Sequence, residues 1–333
     1  MPPTAPQPLD RRTFDAAGLI SAHPPVWQHP NKEVVAAISC PPDAVHAGTL
    51  GYSRWAALPL PEVASQDAAT TVVERPGFYD YAPIVAGAIE WHVNFADPHL
   101  FVAYGSQLLA QDELQVAEHP VLGALKEALV AERAVTRTVE EGRPTPVLVT
   151  GAERRCRIAT EPDPSAGRPD GLYGNAFALA RADVVRAATT RLEPPTITNL
   201  IAMAAPGYGH GAYTAEQIET ILVTAYTAFT AASAEGSRLA DAATSLVVHT
   251  GYWGCGAFGG NRVLMAALQV LAARMAGVGT LAFHVGDPAG SELLADALGF
   301  LDGPDGIGAL PSTSERIRAI ADYGFRWGVS DGT

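Results

Sequence analysis

The clearest pattern along the chain lies in residues 245–287, where two short apolar runs flank a longer one. Leu246-Val247-Val248 is β-branched and apolar and predicts a buried strand. Arg262 to Met275 is almost continuously apolar and rich in good helix formers, so a helix covered on most sides is expected. Gly277 and Gly279 stop it, and Leu281 to Val285 reads as a second buried strand. Strand, glycine turn, helix and strand form a βαβ unit, which implies a parallel sheet.

The rest of the chain follows the same alternation. Asn31 to Ser39 predicts a helix among short segments broken by prolines, and Thr70 to Glu74 a strand before the turn at Pro76-Gly77. Ile89, Trp91, Val93 and Phe95 alternate with other residues in 86–97, the period of a strand. A loop over 100–110 leads to Gln111-Asp112-Glu113, which opens a helical stretch, and Leu122 to Arg133 is an amphipathic helix. Thr145 to Thr150 predicts a strand ending at Gly151, and the polar, Pro/Gly-rich residues 153–171 predict a long surface excursion. Asn199 to Ala204 is a further strand before the turn at Pro206-Gly207. Thr214-Ala-Glu-Gln217 is a capping box for a long helix to about Ala232, and Ser312-Thr-Ser-Glu315 is a second one before a helix over 316–323. Ser291 to Ala297 gives another helix. Strands alternating with helices from residue 86 onward predict one α/β domain. It is expected over 70–333, behind a Pro-rich polar tail (1–10) and an accessory segment that together span 1–69.

Composition narrows the function. With 48% hydrophobic and 17% charged residues over 333 positions, the chain is expected to be compact and soluble. A formal net charge of −13 argues against nucleic acid or an anionic membrane as partner. An anionic ligand must then be held by backbone N–H groups and a few arginines. Cys40, Cys156 and Cys255 have no metal-ligand spacing and form no disulfide framework, and the nine histidines show no HxxxH pattern. No metal or cofactor is expected, and a reducing, cytoplasmic setting is. The first residues carry no apolar signal region, no run of membrane-spanning length follows, and no nucleophile elbow is present. The sequence leaves the oligomeric state open.

The turn before the long apolar helix carries the candidate chemistry. Gly251, Gly254, Gly256, Gly259 and Gly260 alternate with Tyr252, Trp253 and Phe258. Such glycines let backbone N–H groups face a ligand at a helix N-terminus, which suits a phosphate or pyrophosphate, with the aromatics packing on a ribose or base. They serve equally for close helix–strand packing. Neither GxGxxG nor a Walker loop is matched.

Thr250-Gly-Tyr-Trp-Gly-Cys-Gly-Ala-Phe-Gly-Gly260, after a strand and before an apolar helix, resembles the C-terminal signature of poly(ADP-ribose) glycohydrolases, Thr-Gly-Asn-Trp-Gly-Cys-Gly-Ala-Phe-Gly-Gly. One position in eleven differs, Tyr252 for Asn. Phe283-His-Val-Gly-Asp287 is similar to the family's Phe-Thr-Phe-Gly-Asp. The resemblance implies a macrodomain, a three-layer α/β/α sandwich with a mixed sheet and here a short N-terminal extension. It also implies an ADP-ribose-containing substrate, with Gly254, Cys255, Gly256, Ala257, Phe258 and Gly259 as ligand-binding residues.

Residues 93–113 resemble a second family segment, Val-Asp-Phe-Ala-Asn, then Gly-Gly-Gly, then Gln-Glu-Glu. Val93, Phe95, Ala96, Gln111 and Glu113 coincide with it, and Asn94, Asp97 and Asp112 are conservative changes. Phe101-Val102-Ala103 stands in place of the glycine triplet, adding bulk where the family backbone lies against the ligand. The resemblance makes Glu113 the general acid/base of a metal-independent glycosidic hydrolysis. Asp112 is assigned with it, hydrogen-bonding a ribose hydroxyl or positioning the segment, since adjacent residues cannot flank one bond as a two-carboxylate pair does. Asn94, Phe95, Asp97 and Gln111 are implied ligand contacts. Val149-Thr-Gly-Ala-Glu-Arg154 resembles the family's Gly-Ala-Glu segment, and after it Tyr173 is the candidate ligand-lining aromatic. Implied, then, is hydrolysis of an ADP-ribosyl bond in polymer, protein conjugate or NAD-derived small molecule. The alternative is a module that binds ADP-ribose without cleaving it.

Overall fold

The computed structural model describes residues 6–63, 69–240 and 244–332. In chain order the first elements are β1 (Asp10–Asp15), α1 (Ala16–Ala22), α2 (Pro30–Ser39), β2 (Thr49–Arg54), β3 (Thr71–Arg75) and β4 (Ile89–Phe95). Then come α3 (Gln111–Glu118), α4 (Pro120–Ala131), a small hairpin of β5 (Val139–Glu140) and β6 (Arg143–Pro144), and β7 (Val147–Ile158). α5 (Ala176–Leu179), α6 (Ala182–Ala188), β8 (Thr189–Met203) and α7 (Ala215–Leu239) follow. The chain closes with β9 (Leu246–Gly251), α8 (Arg262–Met275), β10 (Thr280–His284), α9 (Pro288–Asp302) and α10 (Thr313–Tyr323).

Eight strands form one mixed sheet in the order β1-β2-β7-β8-β4-β9-β10-β3. β8, β4, β9, β10 and β3 are mutually parallel, and β7, β2 and β1 continue the sheet antiparallel. The β9–α8–β10 unit is the parallel βαβ expected from the apolar pattern. Alternation along the strands separates two cores. Ile201, Met203, Val248, Leu281 and Phe283 pack with α7 and α8 on one face. Leu200, Ala202, Val147 and Val149 pack with Val116 of α3 and with Leu122 and Leu125 of α4 on the other. The result is helix, sheet, helix. α8 is apolar nearly all round because α7, α9 and the sheet cover it, leaving Ala266 to Ala273 wholly buried. α7 starts at the capping box read from the sequence, Thr214 accepting from Gln217 N.

Several boundaries differ from the sequence expectation. β7 does not end at Gly151. That residue has φ +76° and sits where a Cβ would come 2.3 Å from Thr49 O, so it makes an irregularity in the β7–β8 pairing and the strand runs on to Ile158. Glu153, Arg154 and Arg155 are buried strand residues, not part of a surface excursion, because their charges pair internally. Arg154 Nε donates to Glu118 Oε2 at 2.8 Å and Arg155 Nη1 to Glu153 Oε2 at 2.6 Å. α7 reaches Leu239, and α10 begins at Thr313, where Ser312 accepts from Glu315 N. β1 and β2, expected within an accessory segment, form the antiparallel edge of the same sheet. Of the polar tail over 1–10, residues 1–5 lie outside the described residues and Asp10 already belongs to β1. Among the described residues no helix is long and apolar enough to cross a membrane.

Candidate active site

A cavity of about 720 Å³ opens beside the C-terminal ends of β4, β9 and β10. Crevices at the carboxyl ends of parallel strands are the usual ligand sites of open α/β sheets. Phe95 to Asp97 and the first turn of α3 line one side, the turn over 251–258 lines another, and Tyr173 and Phe78 close a third.

On the first side the chain leaves β4 and returns as α3, which begins without a side-chain cap, so its first N–H groups and its dipole favour negative charge. Asp112 and Glu113 occupy that first turn, both buried. Gln111 brackets the end of β4. Its Oε1 accepts Phe95 N at 2.6 Å and its Nε2 donates to Val93 O at 3.0 Å, so its amide is engaged by backbone although the residue lines the cavity. Asn94 Nδ2 donates to Asp112 Oδ1 at 3.0 Å, and Asn94 Oδ1 and Glu113 Oε2 are buried without a partner among the described residues. Burial raises the Asp112 pKa, as does the adjacent Glu113 charge, and burial likewise raises that of Glu113. Both are therefore easier to protonate than surface carboxyls. Asp97 accepts from His99 N and faces the cavity from the following loop.

The segment expected to crowd the site divides in two. Phe101 has φ +50° and is fully buried in the core under α4, away from the cavity, whereas Val102 and Ala103 line it.

In the glycine turn, the N–H groups of Cys255, Gly259 and Gly260 bond to carbonyls within the turn. Among the described residues those of Gly256, Ala257 and Phe258 have no acceptor, and all three residues line the cavity. Gly254 (φ +75°) would place a Cβ 2.5 Å from Ala205, and one on Gly260 would lie 2.7 Å from Gly254 O. Close packing therefore requires these two glycines. At Gly256 a Cβ would meet the side chain of Asp331, in the C-terminal segment, at 3.0 Å. Trp253 borders the cavity but is buried, and its Nε1 is engaged by Met203 O at 2.9 Å, so its polar edge is not offered to a ligand. Tyr252 is buried against α9, donating from its hydroxyl to Gly290 O, and its ring seats the Arg262 guanidinium at 4.4 Å. Arg262 also pairs with Asp287 at 2.9 Å and lines the cavity. Cys255 and Phe258 line it as expected.

Tyr173 is half-buried and stacks on Phe78 with ring centroids 5.6 Å apart, and burial pushes its hydroxyl up to about 12. The loop bearing Phe78 also carries Tyr79 and Tyr81, which cover a polar patch of the sheet. There His92 stacks on His249 at 4.1 Å, and His249 bridges Glu90 (3.0 Å) and His284 (3.1 Å). His284 Nδ1 lies 3.2 Å from Phe78 O and is held down to about 4 by burial and by the neighbouring His249. Sequence reasoning missed Phe78, Tyr81, Arg154, Arg262 and His284 as lining residues. Arg154 and His284 lie in segments quoted above for their resemblance, but only the fold gathers them with Phe78, Tyr81 and Arg262 around one cavity. Among the described residues no group of three or more His, Cys, Asp or Glu side chains is arranged to hold a metal ion.

The family model described as Poly (ADP-ribose) glycohydrolase (PARG), Macro domain fold, matches residues 171–290. The matched stretch includes Tyr173 and the glycine turn, and leaves out Asp112 and Glu113. Among solved structures, the chain is similar to poly(ADP-ribose) glycohydrolase from Thermomonospora curvata at 15% identity and a TM-score of 0.45, covering 86% of this chain and 85% of that one. Similarity to the Deinococcus radiodurans poly(ADP-ribose) glycohydrolase in complex with ADP-ribose is 12% identity at a TM-score of 0.36, over 87% of this chain and 94% of that one. No curated protein matches the chain. Over residues 171–290, about a third of the chain, the protein is similar to the poly(ADP-ribose) glycohydrolase family with its macro domain fold.

Proposed function

We propose that the protein hydrolyses an ADP-ribosyl glycosidic bond, with Glu113 as general acid and then general base. The observation that carries this is one cavity lined both by a turn with three unengaged N–H groups and by a buried carboxyl with an unpartnered oxygen. The N–H groups of Gly256, Ala257 and Phe258 suit a pyrophosphate, with Arg262 as a nearby cation in a chain of net charge −13. Tyr173 and Phe78 offer aromatic faces for a base. Glu113, kept protonated more readily by burial, can give its proton to the leaving oxygen at the anomeric carbon. It can then take one from the water that attacks the oxocarbenium-like centre. Asp112, tied to Asn94, is suited to orient a ribose hydroxyl. Val102 and Ala103 line the cavity in place of glycines and add side-chain bulk there, which favours a compact ADP-ribosyl conjugate over a long polymer. The three free cysteines suit a cytoplasmic setting.

ADP-ribose at a hundred times its Kd should stabilise the fold by about 2.7 kcal/mol, read as a rise in melting temperature. Gly256→Val is expected to fold and to lose that rise, because its side chain enters the approach to the free N–H groups. No shift in the wild type by melting or calorimetry removes the nucleotide site. A shift that persists in folded Gly256→Val leaves the turn a packing device only. Release of free ADP-ribose from mono-ADP-ribosylated protein and from polymer, measured side by side, tests the preference for compact substrates.

A further inference from the structure

After α10 the chain returns to the cavity, and residues 325–332 make that return without helix or strand. The first half of the segment is fixed. Phe325 is buried with its ring 5.1 Å from that of Phe300, and its carbonyl accepts Tyr213 N at 2.9 Å. The Trp327 ring stacks on Tyr213 at 4.2 Å, and Trp327 N donates to Gly211 O at 2.9 Å. Gly328 N then donates to Gly259 O, in the glycine turn, at 2.8 Å.

Beyond Gly328 the chain is exposed, Val329 to 91%. Its ties run to two walls of the cavity. Asp331 N lies 3.4 Å from Gly256 O, a long hydrogen bond, and Asn175 Nδ2, two residues past Tyr173, donates to Gly332 O at 2.8 Å. Asp331 lines the main cavity, whereas Gly332 and Asn175 line a hollow of about 520 Å³ beside it, and Leu108 borders both. Residues 329–332 are therefore a strap between the two spaces. Firmly rooted at Gly328 and held beyond it by exposed backbone bonds, the strap belongs to the part of a fold that opens at low cost.

The strap also brings a charge to the anion turn. Asp331 Oδ2 lies 3.0 Å from the position that a Cβ on Gly256 would take. Gly256 is the first of the three residues whose N–H groups have no acceptor among the described residues. A pyrophosphate drawn to those donors meets the Asp331 carboxylate at close range, and like charges set side by side in a shaped site oppose binding.

We infer that residues 329–332 are an autoinhibitory strap: the Asp331 carboxylate contests the glycine turn, and a diphosphate gains the turn's N–H groups when the strap swings away about Gly328. The inference rests on the turn being a pyrophosphate site. It makes Asp331, which lies outside the matched residues 171–290, a determinant of ligand affinity.

Two full-length variants separate charge from swing. Asp331→Asn removes the charge and keeps the strap, and Asn175→Ala removes the tie to the far wall and keeps the charge. Both positions are exposed, so both variants should fold as the wild type does. Calorimetric titration with ADP-ribose, and with inorganic pyrophosphate, which has neither ribose nor base, reads the affinity. Asp331→Asn should bind both ligands about tenfold tighter or more, with a gain that shrinks at high salt. Asn175→Ala should bind both tighter by a smaller factor, because a larger fraction of the protein is then open. Equal affinity in the wild type and both variants overturns the inference and leaves the nucleotide site standing. Weaker binding by Asp331→Asn overturns it too, since Asp331 is then a ligand contact. A gain in one variant alone overturns the part that the other tests, the charge or the swing. Failure of all three proteins to bind either ligand removes the anion turn itself, and the strap's role with it.

Discussion

Glu113→Gln should lower turnover of an ADP-ribosyl conjugate by about 10²–10⁴-fold, the usual worth of general acid–base help, and leave ADP-ribose binding nearly unchanged. The substitution keeps the shape of a side chain that is buried in the first turn of α3 and whose Oε2 has no partner to lose. What disappears is the proton. The pH dependence follows from the direction of the shift: burial raises the Glu113 pKa, so the protonated acid persists to higher pH than for a surface glutamate. A step that needs the acid should be retained at low pH and fall as pH rises through that raised value. A step that needs the base behaves in the opposite sense, giving a bell. The Gln variant should lose whichever limb belongs to Glu113. Turnover in Glu113→Gln within a factor of two of wild type would remove the mechanism. Loss of turnover together with loss of ADP-ribose binding would show that the site had collapsed and that the comparison says nothing about proton transfer. Circular dichroism and the ADP-ribose melting shift separate the two.

The sequence exposed most plainly the parts of this site that are local. The β9–turn–α8–β10 unit announces itself because a β-branched run, closely spaced glycines and an apolar helix occur in succession. Gln111 to Glu113 was legible as a helix start, which is what places two carboxyls at an N-terminus. What resisted reading depends on tertiary pairing. Trp253 looks like a ligand platform beside glycines, but its indole N–H finds Met203 O and it belongs to the core. Phe101 looks like bulk in a pocket, but a positive φ turns it into the core under α4. The polar floor of His92, His249 and His284 comes from three strands distant in sequence that become neighbours only in the sheet.

Arg154→Met should cost about 3–5 kcal/mol of stability, the range for breaking a buried ion pair by removing one partner. Glu-Arg-Arg at 153–155 reads as surface from its charge, yet Arg154 is 5% exposed and Glu118 4%. Their 2.8 Å bond joins β7 to α3, Glu118 also accepts Ile158 N at 2.8 Å, and the Arg154 guanidinium lies 4.1 Å from the Tyr81 ring centroid. Without Arg154, Glu118 keeps its desolvation and loses the charge that offsets it, so it must take up a proton to stay buried. Its folded pKa then rises further above that of the unfolded chain. The penalty should accordingly be largest at neutral and alkaline pH and shrink as pH falls and Glu118 becomes protonated in both states. The double variant Glu118→Gln/Arg154→Met should recover part of the loss, because no charge is stranded. Urea melts at pH 5 and pH 8 on the two single variants and the double measure both effects. A cost below about 1 kcal/mol for Arg154→Met, or one that does not change with pH, would mean that water or a neighbouring group already compensates Glu118. In that case the pair would not be what fastens β7 to the helix that carries Asp112 and Glu113.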